Sequence, residues 1–231
     1  MNQTNLTARE GIVDGMPIFI GYFPTAIAFG LVCRNAGLFL WESTFSSLAV
    51  YGGSSQFLGV NLLVSGAAIL EIVLSMALVN LRYAFEGAAV ARKLDNVHGL
   101  KRFIVGFFTT DEVFSISVLK GKPLGWGYMV GLELTAYTGW VSGTVVGCLV
   151  GAMLSDEWQL AVGVTLYAMF SAMWAGEVRK GGARILFVGL CAGLANSALS
   201  LGLHVGAGWS FVISMLGATF VGALCDGGTE R

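Results

Sequence analysis

Val50–Gly59 reads VYGGSSQFLG. The stretch sits in one of the most apolar parts of the chain, yet positions 52–56 hold two glycines, two serines and a glutamine. Polar side chains and helix breakers are what an embedded segment ordinarily avoids, so their accommodation defines the molecule.

The composition sets the surroundings. Of 231 residues, 55% are hydrophobic and only 12% charged, and mean hydropathy is +0.75. A soluble domain carries about 25% charged residues, so this chain cannot cover a water-facing surface. Apolar stretches of the length a transmembrane helix needs, about 20 residues, recur along it. The alternating pattern of membrane β-strands is absent. The reading is an all-α polytopic membrane protein with one transmembrane transport domain, 12–225. A polar N-terminal tail, 1–11, and a C-terminal tail, 226–231, flank it. The tail MNQTNLTARE lacks the basic start and apolar centre of a cleaved signal peptide. A net charge of −1 offers no basic face to nucleic acid. Cys33, Cys148, Cys191 and Cys225 read as buried inert thiols. His98 and His204 lie far apart and make a poor metal site, and nothing points to a cofactor.

Eight apolar segments stand out: 12–33, 43–64, 66–91, 103–119, 125–152, 158–175, 183–203 and 207–225. Cytoplasmic loops collect Lys and Arg. If all eight cross, the loop charges split five against seven between the two sides, a poor bias. If 43–64 and 103–119 instead enter and leave on one side, Arg9, Arg92, Lys93, Lys101, Arg102, Lys120, Lys122, Arg179, Lys180, Arg184 and Arg231 gather on the side of the N-terminus. Arg34 and the acidic connection LSDEW (154–158) fall opposite. This predicts about six full transmembrane helices plus two interrupted or re-entrant segments, with the N-terminus cytoplasmic.

Those two segments hold the unusual polar centres. Broken backbone at membrane depth is tolerated only where it is buried in protein or lines a wet cavity. Gly52 and Gly53 give freedom for a break. Ser54 is placed to cap a new helix start, whose free N–H groups attract an anion. Gly53, Ser54, Ser55 and Gln56 are therefore candidate substrate-binding residues, in the manner of transporters built on half-helices. The second segment centres on Thr109, Thr110, Asp111 and Glu112. Two adjacent carboxylates in an apolar segment cannot both stay charged cheaply, so Asp111 and Glu112 are candidates for proton coupling or for meeting a substrate ammonium.

GYFPTAIAFG (21–30), SLAVYGGSSQF (47–57), LVNLRYAFEG (78–87) and TTDE (109–112), in this order and spacing, resemble the AzlC/BrnF family, the large subunits of branched-chain amino acid exporters. The resemblance covers about residues 10–225. It implies an inner-membrane permease, a small partner membrane protein of the AzlD/BrnE type, and export of apolar amino acids. Tyr83 stands where the family pattern leads one to expect histidine, and Tyr51-Gly52 where Phe-Ala is commoner.

In 66–91, Glu71, Ser75, Arg82 and Glu86 share a helical face. Arg82 is too deep to snorkel out. It is placed to pair with Glu86 four residues on, or with a substrate carboxylate or Asp111. Asn80 lies about 200° around the helix from Arg82 and is expected to serve backbone freed by a neighbouring break. Pro17 and Pro24 should kink the first span, with Pro24 placing a bend beside the site. Gly139, Gly143, Gly147 and Gly151 form a packing stripe, and Glu133, which faces away from it, is a lesser site candidate. In 183–203, Gly189, Gly193, Asn196 and Ser200 share a second packing face.

Together these features predict a secondary transporter rather than an enzyme. It works in the lipid bilayer on an apolar amino acid. A channel would want a continuous polar stripe across the membrane. An intramembrane serine protease using Ser54 or Ser55 would want a base within reach.

Overall fold

The structure is a computed structural model that describes residues 6–120, 123–153, 171, 175–176, 178–179, 182–183 and 185–226, with side chains to residue 222. The expected span 158–175, the acidic connection 154–158, Lys122, Lys180, Arg184, Arg231, the tail beyond 226 and the Cys225 side chain lie outside the described residues. The described elements are helical: α1 (Ala8–Asn35), α2 (Leu40–Ala49), α3 (Gly53–Val64), α4 (Ile69–Ala91), α5 (Leu100–Phe108), α6 (Asp111–Leu119), α7 (Trp126–Gly151), α8 (Ile185–Gly202) and α9 (Ala207–Asp226). The last turn of α8, Ala198–Gly202, is π-helical. The chain is thus an all-α membrane protein. By length and composition α1, α7 and α8 can each cross a bilayer. α4 has 23 residues and carries Glu71, Arg82 and Glu86.

The chain folds into two compact units, Met1–Phe57 with Val79–Val162, and Leu58–Leu78 with Gly163–Arg231. In the second unit the Glu71 carboxylate lies against Gly206 and Gly208 at the start of α9, where helix N–H groups favour an anion. Val188 of α8 touches Gly222 of α9, and an apolar cavity between these helices has the Asn196 amide on its wall. The remaining description concerns the first unit.

The first unit is built on α1 and α7. α1 begins with a capping box: Glu10 N–H donates to Thr7 Oγ1 at 3.3 Å, and Thr7 N–H donates to Glu10 Oε2 at 2.6 Å. The glycine stripe of α7 is an internal seam against α1. Gly139 meets Phe19, Gly143 meets Phe23, Gly147 meets Ile27 and Gly151 meets Leu31, a constant offset of 120 positions. The two helices therefore run parallel. Gly11, Gly15 and Gly30 of α1 return the favour against Tyr128, Leu132 and Thr144. Small residues let the backbones approach closely, and dispersion contacts hold them. Gly21–Ala26 and Gly131–Ala136 share a Gly-x-x-x-Thr-Ala pattern, but it marks no repeat of this packing: Gly131 is pressed on Ala8, whereas nothing lies within 4 Å of a Cβ built at Gly21.

Both interrupted segments are interrupted. α2 stops at Ala49 and α3 starts at Gly53; α5 stops at Phe108 and α6 starts at Asp111. Both also turn back. Gln56 Nε2 donates to Ser46 Oγ at 3.0 Å and Ser47 Oγ at 3.2 Å. A straight helix would put Gln56 about 13 Å beyond Ser47. At the end of the unit where α1 begins, Arg102 Nη2 donates to the Ala91 carbonyl (2.7 Å), Lys93 Nζ to that of Val118, and Lys120 Nζ pairs with Asp14 (2.6 Å). So α5 starts and α6 finishes at one end, beside the end of α4 and the starts of α1 and α7. An isolated bridge between Leu94 and Leu124 closes that end. The α2–α3 hairpin comes from the opposite end, to which α1 carries the chain. Ser47 bonds Thr144 (2.8 Å), and further in, Tyr137 OH donates to the Leu48 carbonyl (2.9 Å), so α2 descends antiparallel to α7.

A methyl group at Gly147 would run into the Ile27 carbonyl, while one at Gly21 meets open space. Gly147→Ala should therefore lose about 1–3 kcal/mol by overpacking, seen as a lower unfolding midpoint in detergent. Gly21→Ala should hold or raise that midpoint.

Candidate functional site

The two hairpin tips meet beside α4. At the first, Val50, Tyr51 and Gly52 separate the half-helices, and Tyr51 takes a left-handed φ of +45°. For a bulky residue this is strained by about 1–3 kcal/mol. Gly52 is required, because a Cβ there would lie 2.7 Å from Asn80 Oδ1. At the second tip Thr109 and Thr110 are extended, and Asp111 and Glu112 form the first turn of α6.

Arg82 bridges the tips. Its Nη2 donates to Ser54 Oγ at 3.0 Å and to the Tyr83 hydroxyl at 3.2 Å, and pairs with Asp111 Oδ2 at 2.9 Å. The Arg82 and Asp111 side chains remain 40% and 38% exposed, so the pair faces open space rather than packed core. Arg82 lies nine residues, about 13 Å, from the end of α4. Asp111 lies as many residues from Lys120. In a hydrocarbon layer about 30 Å thick both stand near mid-depth.

α1 contributes a second bridge. The Tyr22 hydroxyl donates to Thr110 Oγ1 at 2.8 Å and to Glu112. Its ring meets Trp140 edge-on (5.6 Å between centroids) and Tyr51 (6.4 Å). Tyr51 also packs on Tyr137 (4.9 Å) and on Phe108 (6.1 Å) at the other tip. A wall of aromatic rings thus stands next to the charged pair.

Several expected residues converge and others take different posts. Ser54 accepts from Arg82; Ser55, fully buried, donates to the Gly52 carbonyl at 2.8 Å and so steadies the break. Gln56 is buried, held by Ser46, Ser47 and Trp140, whose Nε1 donates to Gln56 Oε1 at 2.9 Å. It fastens the hairpin. Gly53 lies against the Trp140 ring. Asn80 lies beside Gly52, but its Oδ1 is buried and unpartnered, so it does not satisfy the freed backbone as expected. Arg82 takes Asp111 rather than Glu86, whose Oε2 is buried and unpartnered. The reason is reach: Asp111 arrives on a separate hairpin directly opposite the guanidinium. Thr109 donates back to Val105 (2.7 Å), and neither threonine caps α6 through its side chain. Pro24 is exposed on α1.

Tyr22, Tyr51, Tyr137 and Trp140 were not singled out in the sequence as site residues. Aromatic residues in membrane helices are common, and only the fold brings these four together. Glu133 was read in the sequence as a lesser site candidate. It is 1% exposed on α7, lies beside Thr109, and keeps an unpartnered Oε1. An intramembrane carboxyl is a functional signal in itself. Among the described residues no group of His, Cys, Asp and Glu could hold a metal ion.

The family model described as AzlC protein matches residues 17–154, a span containing every residue of this site. The chain is 29% identical over 182 residues to "Inner membrane protein YgaZ" of Escherichia coli (strain K12), covering 75% of this chain and 74% of that protein. It is 34% identical over 148 residues to an "Uncharacterized membrane protein" of Archaeoglobus fulgidus, covering 63% and 64%. It is 27% identical over 148 residues to "Branched-chain amino acid transport protein AzlC" of Bacillus subtilis (strain 168), covering 62% and 58%. No solved structure matches the chain.

If the Arg82–Asp111 pair joins the hairpins, the two residues are coupled. In a double-mutant cycle, Arg82→Gln and Asp111→Asn should show a coupling of about 1 kcal/mol, reduced by exposure to water. Purely additive losses of stability would show that the contact carries no energy.

Proposed function

The chain belongs to the AzlC protein family, and from that membership and the meeting of two broken hairpins we propose that it is a secondary permease exporting branched-chain or other apolar amino acids across the inner membrane. The observation that carries this reading is the Arg82 guanidinium held between Ser54 of one tip and Asp111 of the other. It is a split ion pair in an accessible place, and a zwitterion can insert into it. The substrate carboxylate takes Arg82, the Ser54 hydroxyl and the free N–H groups at the start of α3. The substrate ammonium takes Asp111 or Glu112. Each new contact replaces one lost when the resident pair separates, so binding and hairpin movement are linked. The apolar side chain lies toward Tyr22, Tyr51 and Phe108.

In this reading a proton on the acidic pair drives the exchange, as release of the ammonium leaves a carboxylate to be neutralised at membrane depth. A small AzlD/BrnE-type membrane subunit works alongside the chain. The N-terminus is cytoplasmic. Support comes from the end of the first unit where α1 begins: Lys93, Arg102 and Lys120 are all anchored there, as the rule for cytoplasmic loops asks. The amino acid then enters from that end and alternating access carries it across.

The test is efflux from cells loaded with dipeptides containing valine, leucine or methionine, with and without a small partner subunit. Asp111→Asn should abolish efflux while leaving folded protein in the membrane. Wild-type efflux from that variant removes the role of the acidic pair, and no efflux of any apolar amino acid from the wild type removes the permease reading.

A further inference from the structure

Glu133 is a buried acid with no use in the mechanism above. It sits on α7, seven residues from the start of that helix, and is 1% exposed. Oε1 has no hydrogen-bond partner. Among the described residues no Lys, Arg or His pairs with it; the ion pairs there are Arg82–Asp111 and Lys120–Asp14. What faces it is neutral. Thr109 approaches from the break of α5–α6 and Tyr51 from the break of α2–α3. Glu112 also lies near Tyr51, but it is occupied by the Tyr22 hydroxyl.

Two features make this arrangement unlike an ordinary structural acid. The first is cost. A carboxylate buried without a cation or a full set of donors is penalised by several kcal/mol, and the acid form escapes most of that penalty. The second is position. Thr109, beside Glu133, and Tyr51, within electrostatic reach of it, belong to the two tips, the parts that must separate for a substrate to enter. The Tyr51 hydroxyl beside it is also buried and unpartnered, and its backbone is held in the left-handed region. Unpaired polar groups and strain gathered at one spot describe a local state poised to rearrange.

We propose that Glu133 is a proton-carrying site of the transport cycle, sealed by Thr109 and Tyr51 when the tips are closed and hydrated when they part. The step is a simple transfer. With the tips closed the carboxyl holds its proton. When they part, water reaches the carboxyl, the O–H bond breaks, the proton leaves to solvent and the carboxylate is stabilised by hydration. Closing the tips again requires a proton to be taken up, so hairpin position and proton binding are linked through this one side chain. The proposal deepens the permease reading and rests on it for its role in transport, though the buried acid itself can be observed without any transport.

Infrared difference spectroscopy on the purified wild-type protein and Glu133→Gln tests the first half. A C=O stretch of a protonated carboxyl should be present in the wild type at neutral pH, be slow to shift in heavy water, and be lost in the variant. Glu133→Asp, which keeps an acid in the same place, should retain a displaced band, and it serves if the glutamine variant does not fold. Proteoliposomes test the second half. Glu133→Gln should lose accumulation driven by a proton gradient while keeping substrate-for-substrate counterflow. A wild type without the band, or a variant that keeps gradient-driven accumulation, overturns the proposal. Absence of counterflow in the wild type would count against the permease reading instead, and the infrared band would still decide whether Glu133 holds a proton.

Discussion

A guanidinium at the middle of a membrane needs a partner, and that need organises this protein. Arg82 is too far from either end of its helix to reach water along its own stem. The fold answers by bringing an acid and a hydroxyl to it on two separate hairpins, Asp111 on one and Ser54 on the other. Each hairpin must break its helix to present those groups. Each break in turn frees backbone that has to be satisfied, and at one tip the Ser55 hydroxyl does so at the Gly52 carbonyl. The Tyr22 hydroxyl, bound to Thr110, holds the other tip against α1.

The rest of the first unit holds the tips in place. α1 and α7 pack backbone to backbone, and no moving part lies between them. On that rigid pair the hairpins are fastened near their tips by a few polar contacts. Gln56 ties α2 to α3 and to Trp140; Tyr137 holds the Leu48 carbonyl. The tips are joined through Arg82 of α4, by its accessible ion pair with Asp111 and its bond to Ser54. A structure that is firm in its pillars and loosely latched at its centre suits alternating access.

Much of this was visible in the sequence because lipid is an exacting solvent. A glycine pair followed by serines, or two threonines followed by two acids, has few explanations inside an apolar run. Both breaks fell where those residues stand, and the charge of the loops gave the side on which each hairpin enters. The glycine stripe of α7 likewise read as a seam. Its partner did not, because a stripe of small residues says that something packs closely and not what. The same limit applied to Arg82. Glu86 was within helical reach, and only the folded chain shows that Asp111 comes closer. The aromatic wall was harder still. Tyr22, Tyr51 and Tyr137 are far apart in the chain and carry no spacing signal. Tyr51 in addition adopts a backbone region that its side chain disfavours, a choice imposed by the tertiary contacts around it.

The pairing of α1 with α7 at a fixed offset has one more consequence. The seam senses spacing within each helix and is blind to how much chain lies between them. Residues 36–125 are the chain that joins α1 to α7, and both tips and Arg82 lie on it. Its loops can be lengthened or shortened over evolutionary time without disturbing the frame. A one-residue deletion inside α1 would instead swing its small residues about 100° away from the opposing stripe. Variation can therefore accumulate in the joining chain while the two helices keep their register.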